Sequence, residues 1–278
     1  MKSIKYYILL LIVSLGITSC EEVVDVDLDT APPKLVIDAS IKWEKGTTGE
    51  VQKIVLTTTT DFYSNTIPVA TGATIVVTNT TPSTPIPFQF IENGQTGEYV
   101  CSNFIPIINN QYSLTITYKG QTYSSSSKLM PTPVIASTEQ SVKPGIDGKD
   151  SYEIKFYWQD NGAEDNFYLV GAKNANIVYP EYGVLSDEFF QGNSMFALYR
   201  DDELEKGDVI QFSIQGITEQ YSNYMNKLLN IAGSDGGNPF ATPPATLRGN
   251  IFNQTNSDNY PLGFFHLSEI DSDSYTIQ

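Results

Sequence analysis

Histidine, cysteine and positive charge are all scarce in this chain, and each scarcity removes a class of chemistry. His266 is the only histidine among 278 residues. A histidine-built metal centre is thereby excluded, and a Ser-His-Asp triad would have to use His266 with no G-x-S-x-G elbow in the chain. His266 lies in the strand-like run GFFHLS and reads as a structural residue. The two cysteines are Cys20 and Cys101. With Cys20 modified, as argued below, Cys101 has no partner, so core burial and not a disulfide must hold the fold. Cys101, in GEYVCSN, is expected as a buried strand residue. No apolar run reaches the roughly 20 residues a membrane-spanning helix needs. Basic residues number 16 against 32 acidic ones. So negative a surface repels nucleic acid and anionic headgroups, and no nucleic-acid partner is expected.

What is present begins with an address. Residues 1–19 have the layout of a secretory signal peptide: a basic start from Met1 to Lys5, an apolar stretch from Tyr6 to Ile17, and the small polar pair Thr18 and Ser19. Ile17-Thr18-Ser19-Cys20 resembles a bacterial lipobox, in which the cysteine takes diacylglycerol, the signal is cut before it, and the freed amino group is acylated, for instance with palmitate. At ~0.8 kcal/mol per buried methylene, more than one acyl chain gives a stable hold. Cys20 is therefore the expected lipidation site and the covalent lipid the only non-protein group, with no cofactor. Lys2 and Lys5 leave with the signal, so the mature chain sets 14 basic residues against 32 acidic ones. Residues 20–33 lack periodicity, carry Glu21, Glu22, Asp25, Asp27 and Asp29, and end in Pro32-Pro33. They read as an acidic tether.

The fold class expected is mostly β. From Lys34 onward come short alternating runs: KLVIDASI, VQKIVLTTTT, ATIVVTN, IPFQFIE, GEYVC, QYSLTITY and QTYSSSS. Tyr112, Leu114, Ile116 and Tyr118 share one face of such a run, the period of a half-buried strand. Seven runs with turns such as Asn93-Gly94 and Lys119-Gly120 predict an immunoglobulin-like β-sandwich over 34–133, with the exit at Pro131 and Pro133. Residues 134–278 are expected as a second β-rich domain with strands at SYEIKFYW, FYLVGA and DVIQFSI, and at ATLRGNIF, PLGFFHLSEI and DSYTI. Residues 173–208 read as long excursions with one short strand near 194–198. One helix is predicted near 219–232, where Tyr221, Tyr224, Met225, Leu228 and Leu229 form a stripe, Thr218 caps the start and Gly233 ends it.

Few constellations carry chemistry. With 32 acids, some carboxylate pair always has a glycosidase-like separation, so that pattern selects nothing. DVDLD, DGKD and DSDS do not continue into a calcium-binding loop and read as tether or turns, so no metal is expected. AGSDGGNPF follows a helix and lacks phosphate-loop spacing. Tyr179, Tyr182, Phe189, Phe190, Phe196 and Tyr199 crowd the 173–208 excursion, and exposed rings on loops are what a ligand or protein contact would use.

The lipobox ending in TSC, LVIDASI, QYSLTITYKGQTYSS with its proline exit, WQDNGAEDNFYLV, GDVIQFSIQGITEQYSNYMNKLL, GGNPFATPPATLRGNI and PLGFFHLSEI together resemble the Bacteroidota lipoproteins of domain of unknown function 4249. The NPF…PP…GNI…GFF succession is the most specific part, although Pro261-Leu262-Gly263-Phe264-Phe265 stands where a GxxGYF-like ending is expected. The resemblance implies an outer-membrane lipoprotein with a β-rich ectodomain, often associated with a TonB-dependent receptor, and no catalytic residues. In that phylum acids directly after the lipidated cysteine resemble a signal for export to the cell surface, a role that falls here to Glu21 and Glu22. Asp29-Thr30-Ala31 resembles an O-glycosylation acceptor, with Thr30 the site. The function expected is an accessory binding subunit of a TonB-dependent outer-membrane transporter, not an enzyme. The alternative is a structural subunit of another outer-membrane assembly, for insertion or secretion, and a carboxylate-based extracellular hydrolase comes last.

Overall fold

Alternation becomes strand after strand from Leu35 onward in a computed structural model that describes residues 32–61, 64–144, 150–233 and 247–278. The signal peptide and nearly all of the tether, with Cys20, Glu21, Glu22 and Thr30, lie outside the described residues, as does the NPF…PP segment. All seven expected runs are strands: β1 (Leu35–Glu44), β2 (Gln52–Thr58), β3 (Thr74–Asn79), β4 (Ile86–Glu92), β5 (Glu98–Cys101), β6 (Gln111–Tyr118) and β7 (Gln121–Met130). Tyr112, Leu114, Ile116 and Tyr118 of β6 all point inward. Lys119 and Gly120, both at positive φ, make the two-residue turn that joins β6 to β7.

The second half supplies β8 (Ile135–Pro144), β9 (Asp150–Gln159), β10 (Phe167–Lys173), β11 (Glu181–Ser186), β12 (Ser194–Arg200), β13 (Val209–Ile217), the helix α1 (Glu219–Gly233), β14 (Phe252–Asn253) and β15 (Leu262–Thr276). Three expectations change. Of the described residues of ATLRGNIF only Phe252 is in a strand, the short β14, and residues 247–251 are not. The 173–208 excursion contains two strands, β11 and β12, instead of one short one. PLGFFHLSEI and DSYTI are a single strand, because the DSDS acids between them are not a turn. Asp271 Oδ2 accepts the Ile135 N–H at 2.7 Å, and Ser272, Asp273 and Ser274 stay in register with Ser213, Phe212 and Gln211 of β13.

β15 decides the architecture. Its first half runs parallel to β1, from Val36↔Leu262 to Glu44↔Ile270, and also meets β7 at Leu267↔Leu129. Eight strands thereby close in the order β15-β1-β2-β5-β4-β3-β6-β7, a barrel-like ring around Ile37, Leu56, Tyr99, Phe104, Tyr112 and Phe265. Its second half pairs with β13, which leads to β10 and β11. That sheet packs on the three-stranded sheet β12-β9-β8 around Trp158, Phe156 and Phe212, the last two stacked at 4.2 Å. Leu129 belongs to the first core and Ile135 to the second. Ile251, Phe265 and Leu267 nevertheless return to the first, so β15 crosses the expected boundary at 133/134, and Pro33–Gln278 form one compact unit.

The GNI and GFF pieces of the sequence signature meet here. A Cβ on Gly249 would lie 1.6 Å from the Gly263 carbonyl oxygen, so two glycines let the chains touch. The buried Asn250 side chain donates to the Phe265 carbonyl at 2.8 Å and accepts its N–H at 2.9 Å. Ile251 and Phe265 then enter the same core. This part of the signature is structural. Asn250→Ala strands two buried backbone groups, so urea denaturation is expected to show a loss of about 2 to 4 kcal/mol.

Candidate functional site

The outer face of β11-β10-β13-β15-β1 is where side chains with chemistry converge. Residues opposite one another in register share a face, so Asp38 and Ser40 of β1 lie beside Phe264 and His266 of β15. Helix α1 lies over this face. Its start is fixed by Thr218, whose hydroxyl accepts the Tyr221 N–H at 3.2 Å and whose carbonyl accepts that of Ser222 at 2.9 Å. Tyr221 and Met225 pack with Leu169, Ile217 and Phe264, the apolar patch that seats the helix. An open cleft of about 340 Å³ remains between α1, β11 and β1.

Rings and one carboxylate line it. Tyr221, Tyr224 and Phe264 form a cluster with centroids 4.8 to 6.1 Å apart. Tyr182 closes the β11 side, its ring lying across Gly171, where an added Cβ would come within 3.0 Å of it. Asp38 is exposed, accepts the Ser40 hydroxyl at 2.5 Å, and makes no ion pair among the described residues. Burial first and the Asp38 charge second push the Tyr182, Tyr221 and Tyr224 hydroxyls above the usual phenol range. Three neutral phenols therefore surround one carboxylate. Gln215 is 3% exposed, lines the cleft, and its Oε1 has no hydrogen-bond partner among the described residues.

His266 lies buried behind Tyr221. Its ring stacks on Tyr221 at 3.8 Å, Nδ1 lies 3.3 Å from the Ser268 hydroxyl, and Nε2 has no partner among the described residues. Burial, then the charge of Lys42, push its pKa down to about 3, so the imidazole is neutral. It supports Tyr221, as the structural reading of this histidine expects.

The six aromatics singled out from the sequence do not form one site. Tyr179 and Phe189 are 82% and 84% exposed on loops, with Phe190 half-exposed beside Phe189. Phe196 is on β12, on the outer face of the three-stranded sheet, against Tyr157 at 5.5 Å and under Lys155. Tyr199 is not a loop aromatic. Strand alternation turns it into the second core, 3% exposed, where burial, then Glu181 and Asp201, push its hydroxyl up to about 12. Only Tyr182 reaches the cleft. Tyr221, Tyr224 and Phe264 carry no binding signal in the sequence because the helical stripe and the strand run read as plain core, and Asp38 none because it is the polar beat of an alternating strand.

Other polar groups are already engaged. Asp160 borders a smaller cleft but accepts the Tyr168 hydroxyl at 2.7 Å and the Gly192 N–H at 2.8 Å. Cys101 is buried in β5, its thiol 3.2 Å from Asn103 Oδ1, and burial pushes its pKa up. Among the described residues no group of three or more His, Cys, Asp or Glu could hold a metal ion, and no helix is long and apolar enough to cross a membrane.

A family model described as domain of unknown function (DUF4249) matches residues 21–274. No curated protein matches the chain. Similar solved structures include a chain of a cytokine receptor complex, 8% identical over 66% of this chain and 83% of that one, with a TM-score of 0.26. They also include a two fibronectin type-III domain segment from chicken tenascin, 8% identical over 66% of this chain and 90% of that one, TM-score 0.22. The chicken CNTN1 FN1–FN3 domains are 13% identical over 68% of this chain and 63% of that one, TM-score 0.25.

Proposed function

The chain belongs to the DUF4249 family, and from that premise we propose that the mature protein is a surface-exposed outer-membrane lipoprotein, an accessory binding subunit of a TonB-dependent outer-membrane transporter. Lipid on Cys20 holds it to the membrane, Glu21 and Glu22 direct it outward, and residues up to 33 are a hydrated tether that Thr30 glycosylation would stiffen. Residues 34–133 are an immunoglobulin-like module completed by β15. The single observation that supports a binding role is the aromatic cleft under α1, open to solvent, with a carboxylate and a buried acceptor that have no basic or donor partner, respectively, among the described residues.

A second reading, a structural subunit of an insertion or secretion assembly, is favoured by the outer face of β8-β9-β12. Phe196 and Leu198 are exposed there beside Tyr157. Affinity purification from native membranes in a gentle detergent separates the two. A TonB-dependent barrel is expected to copurify; an insertion or secretion barrel supports the second reading, and recovery of the protein alone overturns both. Cys20→Ala is expected to move the protein from the membrane pellet to the soluble fraction, read by immunoblot. Protease added to intact cells is expected to digest the wild type, and protection that ends only when the outer membrane is broken would refute the outward placement.

A further inference from the structure

The cleft has a chemical preference that its composition alone leaves open. Four features point the same way. The walls are ring faces and edges, which attract a cation through the aromatic quadrupole. The exposed carboxylate among them, Asp38, has no basic partner among the described residues. Gln215 lines the cleft and carries a buried acceptor, Oε1, with no hydrogen-bond partner among the described residues. The whole chain carries a formal net charge of −16, which draws cations and repels anions at long range. A neutral sugar would use the rings but would leave the carboxylate without its counter-charge.

We propose that the cleft under α1 binds an organic ammonium ion carried on an apolar body. Asp38 is the counter-charge and accepts an N–H, and the rings of Tyr182 and Tyr224 lie against the cation. Lys42 sets the orientation. It lies four residues along β1 from Asp38, about 13 Å at the rise of a strand. The ammonium group is therefore held at the Asp38 end, and a carbonyl or carboxylate on the same ligand points toward Lys42. Trimethylation of the nitrogen removes the N–H that donates to Asp38 while keeping the charge.

This inference rests on the binding role proposed above and is tested apart from the barrel. The full-length lipoprotein in non-ionic detergent is titrated calorimetrically with 2-phenylethylammonium, with its neutral isostere 2-phenylethanol and with the N-trimethyl derivative, micelles alone serving as blank. The ammonium ion is expected to bind at least about tenfold tighter than the alcohol and several-fold tighter than the trimethyl compound. Asp38→Asn is expected to lose about tenfold of that affinity with an unchanged melting temperature, because Asp38 is exposed. Tyr224→Leu is expected to weaken binding several-fold. Equal affinity for the ammonium ion and the alcohol, wild-type affinity in Asp38→Asn, or no saturable binding to the wild type would each overturn the proposal. A barrel that copurifies although amine binding is absent removes this inference alone. Amine binding without a barrel partner removes the transporter reading alone.

Discussion

Gly263→Ala is expected to cost more than about 4 kcal/mol and to leave little folded protein at 37 °C. Two effects add at this position. Gly263 has φ of +97°, a conformation that L side chains adopt at a cost of about 1 to 3 kcal/mol. In addition, a Cβ there would lie 1.9 Å from the Ile37 carbonyl oxygen and 2.7 Å from its carbon. Those atoms are backbone of β1, so no side-chain rotation relieves the overlap. The strands would have to separate at the start of the parallel β1–β15 ladder, whose nine residue pairs tie the ring of the first core to the sheet of the second. Gly120→Ala is the matched control. It has a similar positive φ of 73° but nothing within 4 Å of the added atom, so it should lose only about 1 kcal/mol. Urea midpoints of the two variants measure the difference; equal losses would mean that backbone strain, and not the contact with β1, explains Gly263.

The same ladder explains what the sequence hid. Local alternation is legible wherever one strand face is apolar, and all seven runs from Leu35 to Met130 were readable for that reason. The sequence pattern divides β15 in two because Asp271, Ser272, Asp273 and Ser274 look like a turn, while Asp271 in fact holds the chain as it crosses between the cores at Ile135. β8, IASTEQSVKP, is an exposed edge strand with one buried apolar residue, Ile135, so it has no hydrophobic signal to read. Within MFALYR a period of two was present: Met195, Ala197 and Tyr199 point inward, Phe196 and Leu198 outward. Reading it would have separated Phe196 from Tyr199. The cleft was less legible than the fold. Asp38, Tyr182, Gln215 and Tyr224 are up to 186 residues apart, and only the pairing of β1, β13 and β11 around β15 and β10 gathers them. Nothing local encodes that pairing.

His266→Phe is expected to flatten one component of the acid sensitivity. The imidazole has a pKa near 6.5 in the unfolded chain and is pushed down to about 3 in the folded one. Between those values the unfolded state binds the extra proton, so stability falls as pH falls, by about 1.4 kcal/mol per pH unit and by roughly 4 to 5 kcal/mol across the window. Above the unfolded pKa this contribution to stability is fully present. The packed surroundings enforce the shift. Tyr221 covers one ring face, Ser268 offers only a hydroxyl, and Lys42 adds a like charge from β1; Asp38, on the same face, is exposed and directed at the tyrosines. Phenylalanine keeps the stack on Tyr221 and removes the titration. Other groups must be subtracted, and one has the opposite sign: Asp187, raised by burial and then by Asp160, is relieved by acid. The quantity to measure is therefore the difference in unfolding free energy between wild type and His266→Phe at pH 7, 6, 5 and 4. It should be constant near pH 7 and then move against the wild type by about 1.4 kcal/mol per unit below pH 6. A difference that stays flat to pH 4 would show that the ring can take up a proton in place and that its surroundings admit water.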